Sequence, residues 1–285
     1  MRILLSLEES AGIQTLRAAN QSDHEIVAVL TSRTDENGGR RGASVAGVAA
    51  HLGHRVWPAK NLKDPAFAEV VKKESVDLIL NVHSLYIVHS AVLSAATVGA
   101  FNLHPGPLPR YAGMNAPSWA ILNGEPQHGV TLHWMDPGID TGPIAFQAMF
   151  ELQPHDTGLS VSSRCTRLGL TLIRRLLASS PADIPRCKQD LSQRQYHGFE
   201  IPIEGKSPWG SAAFADRFVR ACNFYPLPSP WGVPEVRYRG EQLGMIDVSL
   251  TNQDCDAPAG HVDTCGDRLL VATSDQWLQL DRVLH

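Results

Sequence analysis

The chain has 285 residues, of which 43% are hydrophobic and 19% are charged, and its formal net charge is -4. This length accommodates two domains, and the composition is that of an ordinary globular protein. The acidic balance argues against a nucleic-acid partner, because surfaces that bind nucleic acid are usually basic.

Cysteine usage and hydropathy bear on location. The five cysteines are odd in number and include no Cys-x-x-Cys pair, which indicates reduced thiols rather than a disulfide framework. No apolar run approaches the roughly 18 residues of a membrane helix, and the first apolar run is too short for a secretory signal. We therefore predict a cytoplasmic protein with no membrane partner.

The first hundred residues alternate between apolar runs and helical stretches. Predicted strands cover Ile3–Leu7, Glu25–Leu30, Arg55–Pro58, Val76–Val82 and Val98–Leu103. Predicted helices cover Gly12–Asn20, Ser44–Leu52, Asp64–Glu74 and Ser90–Ala95, and a polar, glycine-rich loop is predicted at Arg33–Ala43. This alternation predicts βαβ units, and thus an α/β fold with a Rossmann-like, twisted, mostly parallel sheet and helices on both faces.

The rest of the chain first continues this layer and then departs from it. The predicted elements are a helix at Ala116–Leu122, strands at Gly129–Met135 and Pro143–Glu151, and a long amphipathic helix at Thr157–Leu177. A helix at Ser211–Cys222 is followed by short strands at Glu235–Tyr238, Leu243–Ser249, Leu269–Thr273 and Leu278–Val283. Short strands with tight turns predict a small carboxyl-terminal β-barrel-like domain. We predict a first domain over residues 1–180, a linker over 181–206 and a β-rich domain over 207–285.

The most informative segment, Asn102–Arg110, begins at the end of the fifth predicted strand. Asn102 and His104 are two residues apart, so their side chains point the same way in an extended strand. The glycine and prolines that follow force the chain to turn at a sheet edge where α/β proteins commonly bind ligands. Asp140 lies further on, in a second turn. We predict that the amide, the imidazole and the carboxylate converge on one reacting carbonyl as catalytic groups.

These motifs resemble those of the folate-dependent formyltransferases, a family that includes methionyl-tRNA, glycinamide ribonucleotide and sugar N-formyltransferases. The resemblance rests on three patterns: Asn102-x-His104, Leu108-Pro109-x-x-x-Gly113 and Asp136-x-Gly138-x-Asp140-Thr141-Gly142. It extends over nearly the whole chain and is weakest at residues 181–205. The loop at Arg33–Ala43 is short beside the loop with which the tRNA enzymes grip tRNA. The run Leu108–Ile121, with His128–His133, is more similar to peptide-synthetase formylation domains and to sugar and small-amine N-formyltransferases.

The resemblance implies an N-formyltransferase that uses 10-formyltetrahydrofolate as formyl donor and needs no metal. It implies a pterin crevice formed by the turn after Val76–Val82 and by the loop that carries Asp140. The cofactor-binding residues expected there are His83, Ser84, Leu85, Tyr86, Ile87, Leu103, Asp136 and Gly138. The residues after the first motif that are expected to face the acceptor are Arg110, Tyr111, Asn115 and Trp119.

Several alternatives stay open at this point. The acceptor is a nucleotide-linked amino sugar, or an amino acid that is free or carrier-bound, while methionyl-tRNA is a rival acceptor. Hydrolysis of the formyl donor and a non-catalytic folate-binding module are rival functions, and the intact catalytic trio argues against the second. The carboxyl-terminal domain contacts the acceptor, forms a homodimer interface or only stabilises the fold.

Some single residues also have structural alternatives. Asp136 and Gly138 suit turn formation as well as ligand binding, and Trp119 suits a core position. His83, His128 and His133 each suit either a cleft or a packed interior.

Overall fold

A computed structural model describes residues 1–33, 43–202 and 208–284. The predicted loop at Arg33–Ala43, apart from its two end residues, lies outside the described residues. The chain forms two compact units. The first comprises Met1–Ala112, Gly129–Met149 and Cys165–Gln195, and the second comprises Gly113–His128, Phe150–Arg164 and Tyr196–His285. The domain limits near residues 180 and 207 stay predictions.

The described part of residues 1–151 contains eight strands. They are β1 (Arg2–Leu7), β2 (Glu25–Thr31), β3 (Val56–Pro58), β4 (Leu78–Val82), β5 (Gly99–His104), β6 (Ala112–Gly113), β7 (Gln127–Trp134) and β8 (Ile144–Glu151). All except β6 join one sheet in the order β3-β2-β1-β4-β5-β7-β8. The pairs among β1 to β5 are parallel, whereas β5 and β7 are antiparallel. The chain reverses its direction of winding at β1 and β4, which is where such sheets commonly bind ligands.

The helices described over residues 1–178 are α1 (Glu9–Asn20), α2 (Val45–His51), α3 (Phe67–Lys73), α4 (Ser90–Leu93), α5 (Ala116–Leu122) and α6 (Gly158–Ala178). Of these, α5 belongs to the second unit. Three short 3₁₀ turns cover Ala59–Lys63, Pro181–Asp183 and Leu191–Gln193.

The strand positions that face each layer follow from the sheet register. Leu4, Ile79 and Ala100 are register neighbours on β1, β4 and β5, and they share a buried cluster with side chains of α3 and α4. On the opposite face, Leu7 contacts Gly12 of α1, and Leu103 contacts Gly169 of α6. The predicted α/β class with helices on both faces is therefore confirmed.

The second unit is dominated by an antiparallel sheet. Its elements are β9 (Tyr196–His197), α7 (Ala212–Cys222), β10 (Glu235–Tyr238), β11 (Glu241–Asp254), β12 (Val262–Cys265), β13 (Arg268–Ala272) and β14 (Gln276–Leu284). Five strands pair antiparallel in the order β10-β11-β14-β13-β12, and the edge strands β10 and β12 approach each other, so the sheet curls as predicted. Ser211 caps α7 by accepting a hydrogen bond from the Phe214 amide at 3.3 Å.

The structure corrects the predicted strands of this unit. Strand β11 runs well beyond the predicted Leu243–Ser249, because β11 continues to pair with β14 past several irregularities in register. Strand β12 has no counterpart in the prediction, since only Val262 of its residues is both apolar and buried. No helix among the described residues is long and apolar enough to cross a membrane.

Candidate active site

Polar side chains form a row across four neighbouring strands. Ser6, Asn81, Asn102 and His133 are register partners on β1, β4, β5 and β7, in that order. Ser6, Asn81 and His133 are buried, and Asn102 is partly buried. Partners in register point to the same face of a sheet, so these groups lie side by side. Burying polar groups costs free energy, so a core seldom collects several of them without a role. This buried polar row at the carboxyl ends of β1, β4 and β5 therefore indicates a functional site.

The structure brings together the three predicted catalytic side chains. The Nδ2 atom of Asn102 donates to Oδ1 of Asp140 at 3.3 Å, and Nδ1 of His104 lies 3.5 Å from Oδ2 of Asp140. His104 and Asp140 are both buried, with exposed fractions of 3% and 9%. Asn102 and His104 come from the end of β5, and Asp140 comes from the loop between β7 and β8 with a left-handed φ of 56°.

The orientation of His104 is fixed by a backbone carbonyl. Its Nε2 lies 2.7 Å from the carbonyl oxygen of Tyr111, which can only accept, so Nε2 carries a hydrogen. Burial lowers the pKa of His104, although the Asp140 charge and the Tyr111 carbonyl act in the opposite direction. The neutral ring then presents the lone pair of Nδ1 towards Asp140. A proton released during a reaction is favourably held between these two atoms.

His133 is a fourth member of this cluster. Its Nε2 lies 3.1 Å from Nδ2 of Asn102 and 3.3 Å from Oδ1 of Asp140. Its Nδ1 lies 2.8 Å from the Trp134 carbonyl oxygen and therefore donates to it, so Nε2 of the neutral ring accepts from Asn102. Sequence reasoning left His133 open between cleft and core, because its place beside Asn102 follows from the antiparallel register of β5 and β7.

The loop that carries Asp140 is braced by its own side chains. Oδ1 of Asp136 accepts from the Gly138 amide at 3.1 Å and from Oγ1 of Thr141 at 2.6 Å. A Cβ atom at Gly142 would lie 1.9 Å from the Trp134 carbonyl oxygen, so only glycine fits there. The contacts found for Asp136 are those of turn formation, and a pterin-binding role for Asp136 and Gly138 stays a prediction.

Gln189 holds the same loop from outside. Its Nε2 donates to the carbonyl oxygens of Asp140 at 2.9 Å and Gly142 at 2.6 Å, and its side chain is buried. Arg194 adds a hydrogen bond to the Ile139 carbonyl at 3.1 Å. Both residues lie in the segment predicted as a linker. Sequence reasoning missed them, because they bind backbone carbonyls that no side-chain pattern marks.

The predicted pterin turn follows β4. His83 has a φ of 60°, and its Nδ1 lies 3.1 Å from Oε2 of Glu9, which lowers the pKa of that carboxyl by a hydrogen bond. Leu85 and Ile87 are exposed, with exposed fractions of 67% and 63%. Ser84 is buried, and its hydroxyl has no hydrogen-bond partner within the described ranges. This turn therefore offers apolar side chains beside an unused polar group, a combination typical of ligand sites.

Two other predicted cofactor residues have packing contacts. The Tyr86 ring packs against the buried cluster under α3 and α4, with Nζ of Lys63 5.2 Å from its centre. Leu103 is buried against Gly169, on the face of the sheet opposite to Asn102 and His104. A folate-binding role for Tyr86 and Leu103 stays a prediction.

The predicted acceptor residues are divided between the units. In the first unit, the guanidinium of Arg110 lies 5.3 Å from the Tyr111 ring centre, and Tyr111 is buried. In the second unit, Asn115 precedes α5 with a φ of 54°. Trp119 stacks on His197 at 4.3 Å between ring centres and meets Trp231 edge-on at 5.0 Å. Trp119 thus has the core contacts of an aromatic cluster.

No group of three or more His, Cys, Asp or Glu residues within the described ranges is arranged to hold a metal ion. The chemistry derived below uses the amide, imidazole and carboxylate groups alone.

Comparison with known proteins places this site in a family. The family model described as "Formyl transferase" matches residues 1–177, which contain the whole catalytic trio. The chain therefore belongs to the formyl transferase family, and the family and enzyme class predicted from the sequence are confirmed.

Solved structures share the fold over the full length. The N-formyltransferase from Helicobacter canadensis, solved with folinic acid and dTDP-3-aminofucose, is 18% identical with a TM-score of 0.72, and 99% of each chain is covered. WlaRD, a sugar 3N-formyl transferase solved with dTDP and 5-N-formyl-THF, is 16% identical with a TM-score of 0.71, covering 99% of this chain and 98% of that one. HypX from Aquifex aeolicus, solved with tetrahydrofolic acid, is 17% identical with a TM-score of 0.59, but only 44% of that chain is covered. At these identities the likeness establishes a common fold.

Proposed function

We propose that this protein transfers a formyl group from 10-formyltetrahydrofolate to the primary amine of a small acceptor. The observation that carries the proposal is that polar atoms of Asn102 and His104 each lie within 3.5 Å of the Asp140 carboxylate, at the end of β5. Formyl transfer needs an oxyanion donor and a place to hold a proton, and these groups supply both.

The amine nitrogen attacks the formyl carbon, and its carbonyl oxygen becomes an oxyanion. Nδ2 of Asn102 is the donor for that oxygen. In this structure one of its hydrogens is donated to Asp140 at 3.3 Å, and we expect this hydrogen to turn towards the oxyanion during the reaction. The proton lost by the amine is held between Nδ1 of His104 and Oδ2 of Asp140. It then passes to the folate nitrogen as the bond between that nitrogen and the formyl carbon breaks, so that charge and protons balance.

The residues around the trio suit a folate donor. Leu85 and Ile87 in the loop after β4, and Ile139 in the loop after β7, have exposed apolar side chains. The buried Ser84 Oγ has no partner within the described ranges, so it can accept a hydrogen bond from a polar heterocycle. The folate ligands of the two N-formyltransferases compared above support the same donor.

A nucleotide-linked amino sugar is the acceptor class that we favour. Two proteins similar over nearly their whole length, one solved with dTDP-3-aminofucose and one with dTDP, support this class. The net charge of -4 does not favour methionyl-tRNA, whose binding would need an extended basic surface. An amino acid, free or carrier-bound, is the second acceptor class to test.

A screen of acceptors tests the proposal. The purified protein is incubated with 10-formyltetrahydrofolate and one acceptor at a time: a dTDP- or UDP-linked amino sugar, an amino acid, an aminoacylated carrier protein or methionyl-tRNA. Mass spectrometry then detects any product with an added formyl group. We expect formylation of an amino sugar and none with an Asp140→Asn control. Formate release without any amine would instead identify a hydrolase. Folate binding without turnover of any acceptor would contradict the proposal.

A further inference from the structure

Asn81 contacts both the predicted pterin turn and the catalytic amide. Its Nδ2 donates to the Ser84 carbonyl oxygen at 3.1 Å and to Oδ1 of Asn102 at 2.9 Å. Asn81 is 5% exposed and lies between Ser6 and Asn102 in the row described above. Both hydrogens of its amide are therefore used, one on each neighbour.

These contacts fix which way round each amide lies. The Ser84 carbonyl can only accept, so the nitrogen of Asn81 must face it. That nitrogen also faces Asn102, so Asn102 presents its oxygen to Asn81 and its nitrogen to Asp140, which also only accepts. Reversing the Asn102 amide would place two nitrogen donors together and two oxygens together, which is unfavourable at a buried position.

We propose that Asn81 is a positioning residue that holds the amide nitrogen of Asn102 towards the reacting carbonyl. The inference rests on the proposed function, because it gives Asn102 the role of oxyanion donor. The family patterns quoted for the trio do not include Asn81. Asn81 also ties the catalytic amide to the turn that is expected to bind the pterin.

Asn81→Asp tests the proposal with almost no change in shape. The new carboxylate only accepts, so it draws the nitrogen of Asn102 towards itself and turns the oxygen to the reaction centre. We expect kcat to fall about 100-fold, the loss typical of removing one oxyanion donor. Asn81→Ala, which removes the donor without adding an acceptor, is expected to lose about 10-fold. Asn20→Asp, an exposed change of the same charge, is the control and keeps wild-type kcat.

Coupling to Asn102 distinguishes positioning from general damage. In an Asn102→Ala background there is no amide to orient. Adding Asn81→Asp or Asn81→Ala to that variant should therefore lower kcat by a further factor of less than about three. Equal losses in both backgrounds would overturn the inference, as would wild-type kcat in Asn81→Asp. If Asn81→Asp fails to fold, the Asn81→Ala cycle decides.

Two further measurements keep this inference separate from the proposed function. Binding of 5-formyltetrahydrofolate, followed by calorimetry, is expected to change less than about threefold in Asn81→Ala, since the defect lies in orientation. The side-chain amide NMR signal of Asn102, assigned by its loss in Asn102→Ala, is expected to move in Asn81→Asp and to stay in Asn20→Asp. An unmoved signal would overturn the inference even if no acceptor were found, whereas a moved signal with an inactive wild type would count against the proposed function alone.

Discussion

Asn102 and His133 are register partners on antiparallel strands, and their side chains meet with 3.1 Å between Nδ2 and Nε2. Asn102 thus uses one amide hydrogen on His133 and the other on Asp140, while Asn81 occupies its oxygen. The donor that the chemistry needs is held by three neighbours before any ligand arrives. Such pre-orientation is the main source of electrostatic catalysis.

The first prediction concerns the trio itself. Asn102→Ala removes the oxyanion donor, and His104→Ala or Asp140→Ala removes one of the two groups that hold the transferred proton. We expect each variant to fold and to lose about 100-fold or more in kcat. Initial rates and circular dichroism test this, with Asp183→Ala as a control away from the trio. Wild-type rates in all three variants would refute the mechanism.

His133 is predicted to contribute less than the trio. His133→Ala removes the acceptor of one Asn102 hydrogen and a neighbour of Asp140, so we expect kcat to fall about tenfold, equivalent to about 1.4 kcal/mol. Steady-state rates measure the effect, and His155→Ala, an exposed histidine, provides the comparison. A loss no larger than in His155→Ala would show that His133 only fills space.

Gln189 is predicted to act through Asp140. Gln189→Glu replaces the donor that binds two carbonyls by an acceptor that repels them, so the loop should shift and kcat should fall about tenfold or more. Gln193→Glu, an exposed change in the same segment, should have no such effect. In an Asp140→Ala background, Gln189→Glu should add little, and an undiminished loss there would argue for a general folding defect.

His104 is predicted to make stability depend on pH. Burial places its folded pKa below its ordinary value of 6.5, so the unfolded chain takes up a proton first as the pH falls. Stability from this group is therefore complete above pH 6.5 and is lost towards lower pH. Between about pH 7.5 and about pH 5.5 the wild type should lose up to about 1.4 kcal/mol more unfolding free energy than His104→Asn. Urea unfolding at both values measures this, and equal losses would exclude the shift.

Gly142 is predicted to tolerate no side chain. Gly142→Ala would place Cβ 1.9 Å from the Trp134 carbonyl oxygen, so the loop or the end of β7 must move. We expect a cost of about 3 kcal/mol, at the upper end of overpacking penalties, together with a fall in kcat. Gly210→Ala, where the nearest atom lies at 3.7 Å, is the matched control in thermal unfolding. Similar melting temperatures for the two variants would contradict the prediction.

The parts that could be predicted from sequence are those written in local patterns. Alternating apolar and amphipathic runs predict β1 to β5 and their helices, and the spacing of Asn102 and His104 predicts that they share a face. Strand β12 escaped because its residues are mostly polar and exposed. The direction of β7 beside β5, and thus the place of His133, depends on long-range pairing that no local pattern records.

Residues that act through the backbone were equally hidden. Gln189 lies in a polar stretch that predicts a linker, yet its side chain is buried against two carbonyls. Tyr111 was expected to face the acceptor, and the structure shows in addition that its carbonyl oxygen contacts Nε2 of His104. In both cases tertiary structure, rather than residue type, creates the contact.

Strand β5 is an interior strand, paired with β4 on one side and β7 on the other. Its amides can exchange with solvent only after two ladders have opened, so Asn102 and His104 are expected to be among the slowest-exchanging positions. Asp140 belongs to a connecting loop held by side chains such as Gln189 and Arg194. The proposed reaction centre therefore combines two groups on a core strand with one group on a loop, and the position of that third group depends on the side chains that hold the loop.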